Sequence, residues 1–522
     1  MKRLTRRDFV AASAAMAATS CVSHGKEAAK ALDRGTMAEK PNILIIHTDQ
    51  HRMECLGAYG NREIRTPNID SLAADGVRFD NSFCPYPVCT PSRYSFISGV
   101  YVHEHRGWNN HCTLPPGTDT FPRLLKQAGY RTKAVGKMHY APTYLDVGFS
   151  EMILAEQDGP GRWDDDYHRM LQSQGLIDFN DLEDQVKEYR EKARPEYWEN
   201  FGALKTNLPL KYHSTEWIGA RAQEALQQWN SSGELLMAGF IKPHHPFDPP
   251  EEYGRRYDPA TLTLLPGWTD TCFEHDLAQS RGYFDHTSLT ESALKKIMAY
   301  YYANITHIDD QVGKMVRILK DKGLYGQTMI IFTSDHGEYL GYHHMLLKGN
   351  FLYDPLAKVP LIIKFPHSLH KGTTSQALVN TTDAAPTILA QTGCPIPQCM
   401  RGLNLANPQN ERNILFAESD GGKQVMARTR TRKLILHRTK NVGLFYDLEK
   451  DPCEHDNRYQ DPAYQSEIKT MTESLDQWRP SDNLPKVYLD EEAPVIGQPN
   501  VPDRHDDHRM KMIAYTKAKM KT

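Results

Sequence analysis

Short buried-strand candidates recur along this chain, and four of them stop at a cluster of ionisable residues. Pro41–Asp49 carries the apolar run Ile43–Ile46 and is followed by Gln50. Arg131–Val135 ends in Gly136-Lys137-Met138-His139, and Leu235–Ile241 ends in Lys242-Pro243-His244-His245. Met329–Phe332 ends in Thr333-Ser334-Asp335-His336, and a fifth candidate, Val359–Phe365, follows Lys348. Runs of this length between turn residues read as strands covered on both faces. With helical segments between them they imply an α/β fold, a large and mostly parallel central sheet flanked by helices. Ligands of such sheets bind beyond the carboxyl ends of the strands. Asp49, Lys137, His139, His244, Asp335 and His336 all fall there.

The longest helix is expected over Thr290–Lys322. Leu294, Ile297, Met298, Tyr301, Ile305, Ile308, Val312, Met315 and Leu319 step by three or four residues, as a core-facing stripe must. Asp309 and Asp310 on this helix read as solvated or capping groups. From about Glu411 the pattern changes to short strands at Asn413–Ala417, Gln424–Arg428, Lys433–His437 and Gly443–Tyr446, then a helix near Tyr464–Trp478. The resulting division is a signal segment over 1–21, a linker over 22–40, a catalytic domain over 41–405, a smaller antiparallel α+β subdomain over 406–480 and an extended tail over 481–522.

A formal charge of -3 across 522 residues leaves no basic excess for wrapping a nucleic acid. Thr5-Arg6-Arg7-Asp8-Phe9 precedes the small apolar run Ala11–Ala18, too short to span a bilayer, and reads as a twin-arginine export signal. The expected location is periplasmic or cell-surface. Ala18-Thr19-Ser20-Cys21 resembles a lipoprotein cleavage site, which makes Cys21 a candidate lipid anchor. Of the nine cysteines, removing Cys21 and Cys89 leaves seven, so at least one stays unpaired. Cys394 and Cys399 flank a Pro-containing loop and are the expected local pair. No spacing reads as a zinc site.

Cys89-Thr90-Pro91-Ser92-Arg93 has a proline suited to a first helical turn, which places Cys89 at a helix N-terminus where an anion is favoured. The pentapeptide resembles the signature of the type I sulfatases of the alkaline phosphatase superfamily, whose cysteine is oxidised to formylglycine (3-oxoalanine) by a maturation enzyme. The resemblance runs from about Pro41 to about Gln477, with its motifs in family order. It implies a hydrated aldehyde that attacks sulfur, one divalent cation and a cationic cradle. Asp49, Gln50, residue 89, Asp335 and His336 would hold the cation. Gln50 and His336 depart from the commoner Asp-Asp and Asp-Asn pairs, so calcium remains first while magnesium or manganese stays open.

By the same resemblance Lys137 and Lys348 hold the sulfate, and Arg93 stands beside the hydrated aldehyde. His139 accepts a proton, with a pKa near working pH, and His244 protonates the leaving oxygen. Asn110, with Asn109 as competitor, lies near the sulfate. The aromatic stretch from Tyr140 to about Asn230, with Trp163, Tyr167, Tyr189, Trp198 and Trp217, reads either as a sugar-facing rim or as ordinary packing. Ile241–Phe247 looks similar to stretches in sulfatases of uronate-containing polysaccharides, which implies a sulfated saccharide substrate. Two alternatives stand beside this reading. One is a phosphonate monoester or phosphodiester hydrolase of the same superfamily, whose members tend to carry Tyr-x-Thr where this chain has Lys137-Met138-His139. The other is a glycan-binding pseudoenzyme left unmodified at Cys89.

Overall fold

The computed structural model describes residues 40–279, 282–440, 442–479 and 506–520. The expected signal segment, Cys21 and the linker up to residue 39 lie outside the described residues. Eight strands form the central sheet: β1 (Asn42–Asp49), β2 (Val77–Phe83), β3 (Arg131–Gly136), β4 (Glu151–Leu154), β5 (Glu234–Pro243), β6 (Thr328–Ser334), β7 (Leu361–Lys364) and β8 (Thr373–Asn380). Their spatial order is β4-β3-β5-β1-β6-β7-β2-β8. All neighbours pair in parallel except β7, which runs against both β6 and β2. The sheet is therefore mostly parallel, with the Val359–Phe365 candidate as its reversed strand.

All eight residues of β1 are buried because both faces of the sheet are covered. The two-residue period sends Ile43 and Ile45 into one hydrophobic cluster and Leu44 and Ile46 into the opposite one. Pairing of β1 with β6 sets Thr48 against Ser334, so the next residues, Asp49 and Asp335, leave the sheet side by side.

Six helices matter here: α1 (Pro67–Asp75), α2 (Cys89–Ser98), α3 (Ser214–Gln227), α4 (Glu291–Asp321), α5 (Gln465–Trp478) and α6 (Asp506–Lys519). The stripe on α4 lies in the same cluster as the apolar face of α3. Asp309 is buried and caps α1, accepting from the Ile69 amide at 2.7 Å and the Asn68 amide at 3.2 Å. Asp310 accepts from the Tyr253 hydroxyl at 2.9 Å.

The second sheet is antiparallel, in the order β12-β11-β10-β9, from β9 (Leu415–Ser419), β10 (Gln424–Arg428), β11 (Arg432–His437) and β12 (Val442–Asp447). It shares a hydrophobic cluster with the catalytic region, where Leu415, Met426 and Tyr446 pack with Phe83, Tyr339 and Tyr353. The buried Lys433 ammonium adds an ionic tie, 2.5 Å from Asp354 and 2.6 Å from Glu454.

Two expectations differ from the structure, and a third that had two readings is decided by it. The tail is not extended where it is described, because 506–519 forms α6, whose Met512 and Thr516 are buried and whose Tyr515 hydroxyl donates to the Leu176 carbonyl at 3.0 Å. Cys394 and Cys399 are free thiols, half-buried and exposed respectively. Tyr167 and Trp217 belong to the main core, with ring centroids 5.4 Å apart, so apolar packing claims both. Trp198 stays exposed, while Trp163 and Tyr189 are half-buried.

Candidate active site

Cys89 is the first residue of α2, and every side chain of its pentapeptide except proline's is tied to the strand ends. Thr90 donates to the His139 carbonyl at 2.7 Å and Ser92 to the Asp335 carbonyl at 2.6 Å. Arg93 spends its guanidinium on three acceptors: Asp335 Oδ2 at 2.9 Å, Asp49 Oδ2 at 3.0 Å and the Lys137 carbonyl at 2.8 Å. Arg93, Asp49 and Asp335 are all essentially inaccessible to solvent. Such a triad persists only because each charge is paired and hydrogen-bonded. Arg93 thus clamps the two carboxylates of the expected cation site.

The Cys89 sulfur lies 3.0 Å from Lys348 Nζ, 3.2 Å from His336 Nε2 and 3.7 Å from Asp49 Oδ1. Burial and Asp49 oppose ionisation of the thiol, yet the Lys348 ammonium and His336 bring it down to about 5. Lys348 also reaches His244 Nε2 at 2.9 Å. Lys137 Nζ is 2.8 Å from Asp49 Oδ2 and 3.2 Å from Gln157 Oε1. Burial works against its charge, but Asp49 and Cys89 more than offset that and hold the ammonium protonated. Asn110 Oδ1 accepts from the Thr90 amide at 3.2 Å, which puts Asn110 at the α2 N-terminus, whereas Asn109 is exposed and bonds its own turn.

Two histidines differ from their expected state. His139 Nε2 is 2.6 Å from Asp158, a residue not singled out from the sequence. Burial would lower its pKa, but the Asp158 carboxylate outweighs that and raises it to about 10. His139 is thus an imidazolium at neutral pH, not a base poised there. His244 is the reverse case: burial and the Lys348 charge push it well below the usual histidine value. Its Nδ1 faces the His245 carbonyl at 2.7 Å, which leaves Nε2 as an acceptor for Lys348.

Asp49, Cys89, Asp335 and His336 each offer one ligand atom, all within 4.8 Å of one another. Gln50 follows Asp49 and donates its backbone amide to Asp335 Oδ1, and its Oε1 is buried without a hydrogen-bond partner among the described residues. His336 Nδ1 is 2.9 Å from the Gly337 carbonyl, so Nε2 is the nitrogen left for the cluster. Two carboxylates, an orphaned amide oxygen and an oriented imidazole fit a divalent cation.

The sulfatase family profile matches residues 41–394, and a profile described as N-sulphoglucosamine sulphohydrolase, C-terminal, matches residues 341–481. The chain belongs to the sulfatase family. An arylsulfatase of Clostridium perfringens is 29% identical over 469 residues, covering 84% of this chain and 94% of that protein. An N-acetylglucosamine-6-O-sulfatase of Bacteroides thetaiotaomicron is 26% identical over 507 residues, covering 89% of each. Among solved structures, a phosphonate monoester hydrolase of Agrobacterium radiobacter superposes with a TM-score of 0.69 at 24% identity, covering 83% of this chain and 94% of that one. A protein solved in complex with its substrate D-glucosamine-2-N,6-O-disulfate gives 0.67 at 24% identity, covering 84% and 97%. Both superpositions bear on the fold. Membership of the sulfatase family carries the activity class of a sulfuric ester hydrolase.

In this sulfatase the functional residues that the sequence reading missed cluster after β4, in Ala155-Glu156-Gln157-Asp158. The signal was available, because this stretch also follows a strand end on the same rim. Gln157 links the cradle to the His244 loop, accepting from Lys137 and donating to the His245 carbonyl at 2.7 Å. Glu156 accepts from the amides of Met138 and His139 at 3.1 and 3.0 Å. It thereby holds His139 in its left-handed conformation, φ 55°.

Burial raises Glu156 from 4.5 to about 7 against the pull of His139. The folded state therefore binds a proton that the unfolded chain has released between those values. This group's contribution to stability is full below about 4.5 and is lost as pH rises through about 7. Glu156→Gln should remove that slope, on the order of 3 kcal/mol. Urea unfolding of both proteins at pH 5 and pH 7.5 checks it; an identical pH dependence in the variant would count against it.

Proposed function

We propose that this sulfatase is exported and hydrolyses a sulfate ester on a carbohydrate, such as a polysaccharide or glycosaminoglycan fragment, after a maturation enzyme has converted Cys89 to formylglycine. The observation that carries the reading is the placing of Lys137, Lys348, His139 and His244 about Cys89 at the α2 N-terminus. The charged Lys137, Lys348 and His139, with neutral His244 beside them, make a positive cradle for a tetrahedral anion beside the cation-fitting cluster. Relatives named for N-acetylglucosamine-6-O-sulfate and ulvan chemistry support the carbohydrate part of the reading. The Thr5–Phe9 motif supports export, and Cys21 is the lipid-anchor candidate.

Asp49, Gln50, Asp335, His336 and residue 89 would hold the cation. Calcium is the first candidate by family resemblance, with the His336 nitrogen admitting manganese or magnesium. When bound, the cation supplies Lewis-acid polarisation, and the hydrated formylglycine supplies the oxygen nucleophile and a second hydroxyl whose deprotonation frees sulfate. The remaining chemistry belongs to the side chains. Lys137 and Lys348 carry full positive charge at neutral pH and neutralise sulfate oxygens. His244 Nε2 is unprotonated at rest and accepts from the Lys348 ammonium at 2.9 Å, so it must take up a proton before it can serve the leaving oxygen. The His139–Asp158 pair holds one proton at Nε2 and can exchange it at the cradle's edge.

Similarity to the phosphonate monoester hydrolase fold and the Gln50/His336 pair favour a second reading as a phosphonate or phosphodiester hydrolase. Lys137 and His139, in place of Tyr-x-Thr, weigh for sulfate. The test is sulfate release from a panel of defined sulfated saccharides, run beside aryl sulfate, aryl phosphate and a phosphonate monoester. Sulfated sugars should lead in kcat/KM; a phosphonate that outpaces every sulfate ester would replace the reading.

A further inference from the structure

A primary amide has two ends of nearly equal shape and opposite polarity, so a glutamine serves as a cation ligand only when something fixes which end faces the ion. Gln50 is held at the tip of β1 in a left-handed conformation, φ 61°. Its amide N–H donates to Asp335 Oδ1 at 3.0 Å, and its carbonyl accepts from the Tyr301 hydroxyl at 2.5 Å. Its backbone is thus fixed at three points, counting the strand before it. The side-chain Nε2 donates to Glu338 Oε2, while Oε1 is buried with no partner among the described residues.

Glu338 is itself inaccessible to solvent and makes no ion pair among the described residues. Its other oxygen accepts from the Leu340 amide at 3.1 Å and the Leu347 amide at 2.5 Å. The carboxyl group is therefore surrounded by three N–H donors, so its oxygens face the Gln50 amide as acceptors. It also closes the base of the 338–347 loop, where the Tyr339 amide reaches the Leu347 carbonyl at 3.0 Å, one residue before Lys348. A buried carboxylate satisfied by amides alone is costly to keep, as is an orphaned amide oxygen. One purpose accounts for both.

We infer that Glu338 is a positioning residue for the cation site: by engaging Nε2, it turns Gln50 Oε1 toward the Asp49–Asp335–His336 cluster. The inference rests on the reading of that cluster as a divalent-cation site. Outer partners of this kind typically change metal affinity by about 10- to 100-fold when replaced. Glu338→Gln sets an NH2 group against one of three donors, so either the loop amides or the Gln50 amide must give way. The Gln50 side chain is the free rotor, and its flip would aim Nε2 at the cation.

The experiment uses full-length protein stripped with chelator and titrated with Ca2+, then Mn2+, by calorimetry. The proteins are wild type, Glu338→Gln, Gln50→Ala and the double variant. Glu338→Gln should weaken cation binding by about 10- to 100-fold, and Gln50→Ala by a similar factor. The double variant should bind no worse than Gln50→Ala alone, because Glu338 acts through Gln50. Should Glu338→Gln fail to fold, Glu338→Asp keeps the charge at shorter reach and should still lose affinity. Unchanged affinity in the Glu338 variants, or losses that multiply in the double variant, would overturn the inference while leaving the cation reading intact. Wild-type protein that binds neither cation would overturn both.

Discussion

Cys89→Ala is expected to lower kcat by about four orders of magnitude or more while leaving binding of a sulfated ligand within a few-fold. Removing a covalent nucleophile leaves only what positioning and electrostatics supply, and such losses typically reach 10⁴- to 10⁶-fold. The cradle does not depend on the sulfur for its shape. Lys137 is fixed by Asp49 and Gln157, Thr90 and Ser92 still tie α2 to the strand ends, and Asn110 still covers the helix N-terminus. The small side chain removed is almost wholly buried, so the fold loses only a small packing contribution. Rates and ligand calorimetry on the same preparations check the split. Peptide mass spectrometry across residue 89 of the wild type separates a converted side chain from a thiol. Retention of the full sulfatase rate by the alanine variant would end the proposed mechanism.

Arg93→Met should show the second large effect, in stability. The arginine lies between two carboxylates that share no access to water, and removing one partner from a buried ionic network costs about 3–5 kcal/mol. The loss should depend on cation. With chelator present, Asp49 keeps Lys137 as an ion-pair partner, and Asp335 keeps the amides of Gln50 and His336 and the nearby His336 ring. Saturating Ca2+ should restore part of the loss, because carboxylates that have lost the guanidinium charge bind the cation more tightly than in the wild type and gain more from it. Urea unfolding with EDTA and with Ca2+ measures the difference. A loss under about 1 kcal/mol, or one indifferent to cation, would show that the two carboxylates are not held together by this guanidinium.

Much of this could be read from the chain before any coordinates. Continuous apolar runs are specific for strands covered on both sides, so β1, β5 and β6 were legible to within two or three residues at either end, and α4 nearly to the residue. The reversed direction of β7 was not, because an apolar run carries no sign of its partner's direction. Likewise β4 is only four residues long, and the Glu156-Gln157-Asp158 group that follows it went unnoticed. Residue types at strand ends located Asp49, Lys137, His139, His244, Asp335 and His336 together, since the topology of a parallel sheet gathers them. Protonation was the hidden part. Whether His139 is a base or an imidazolium is decided by Asp158, nineteen positions on. The state of His244 is likewise set by its burial and by Lys348, from a loop beyond β6.

The tightness of the Cys89 turn fixes an order of events. Thr90 is knotted to the end of β3, Ser92 to that of β6 and Arg93 to those of β1, β3 and β6, and all five residues are buried. A visiting enzyme that must grip this pentapeptide would find nothing to hold once the sheet has closed over it. The proposed conversion of Cys89 therefore belongs to the chain's youth, before the sheet has closed over the pentapeptide.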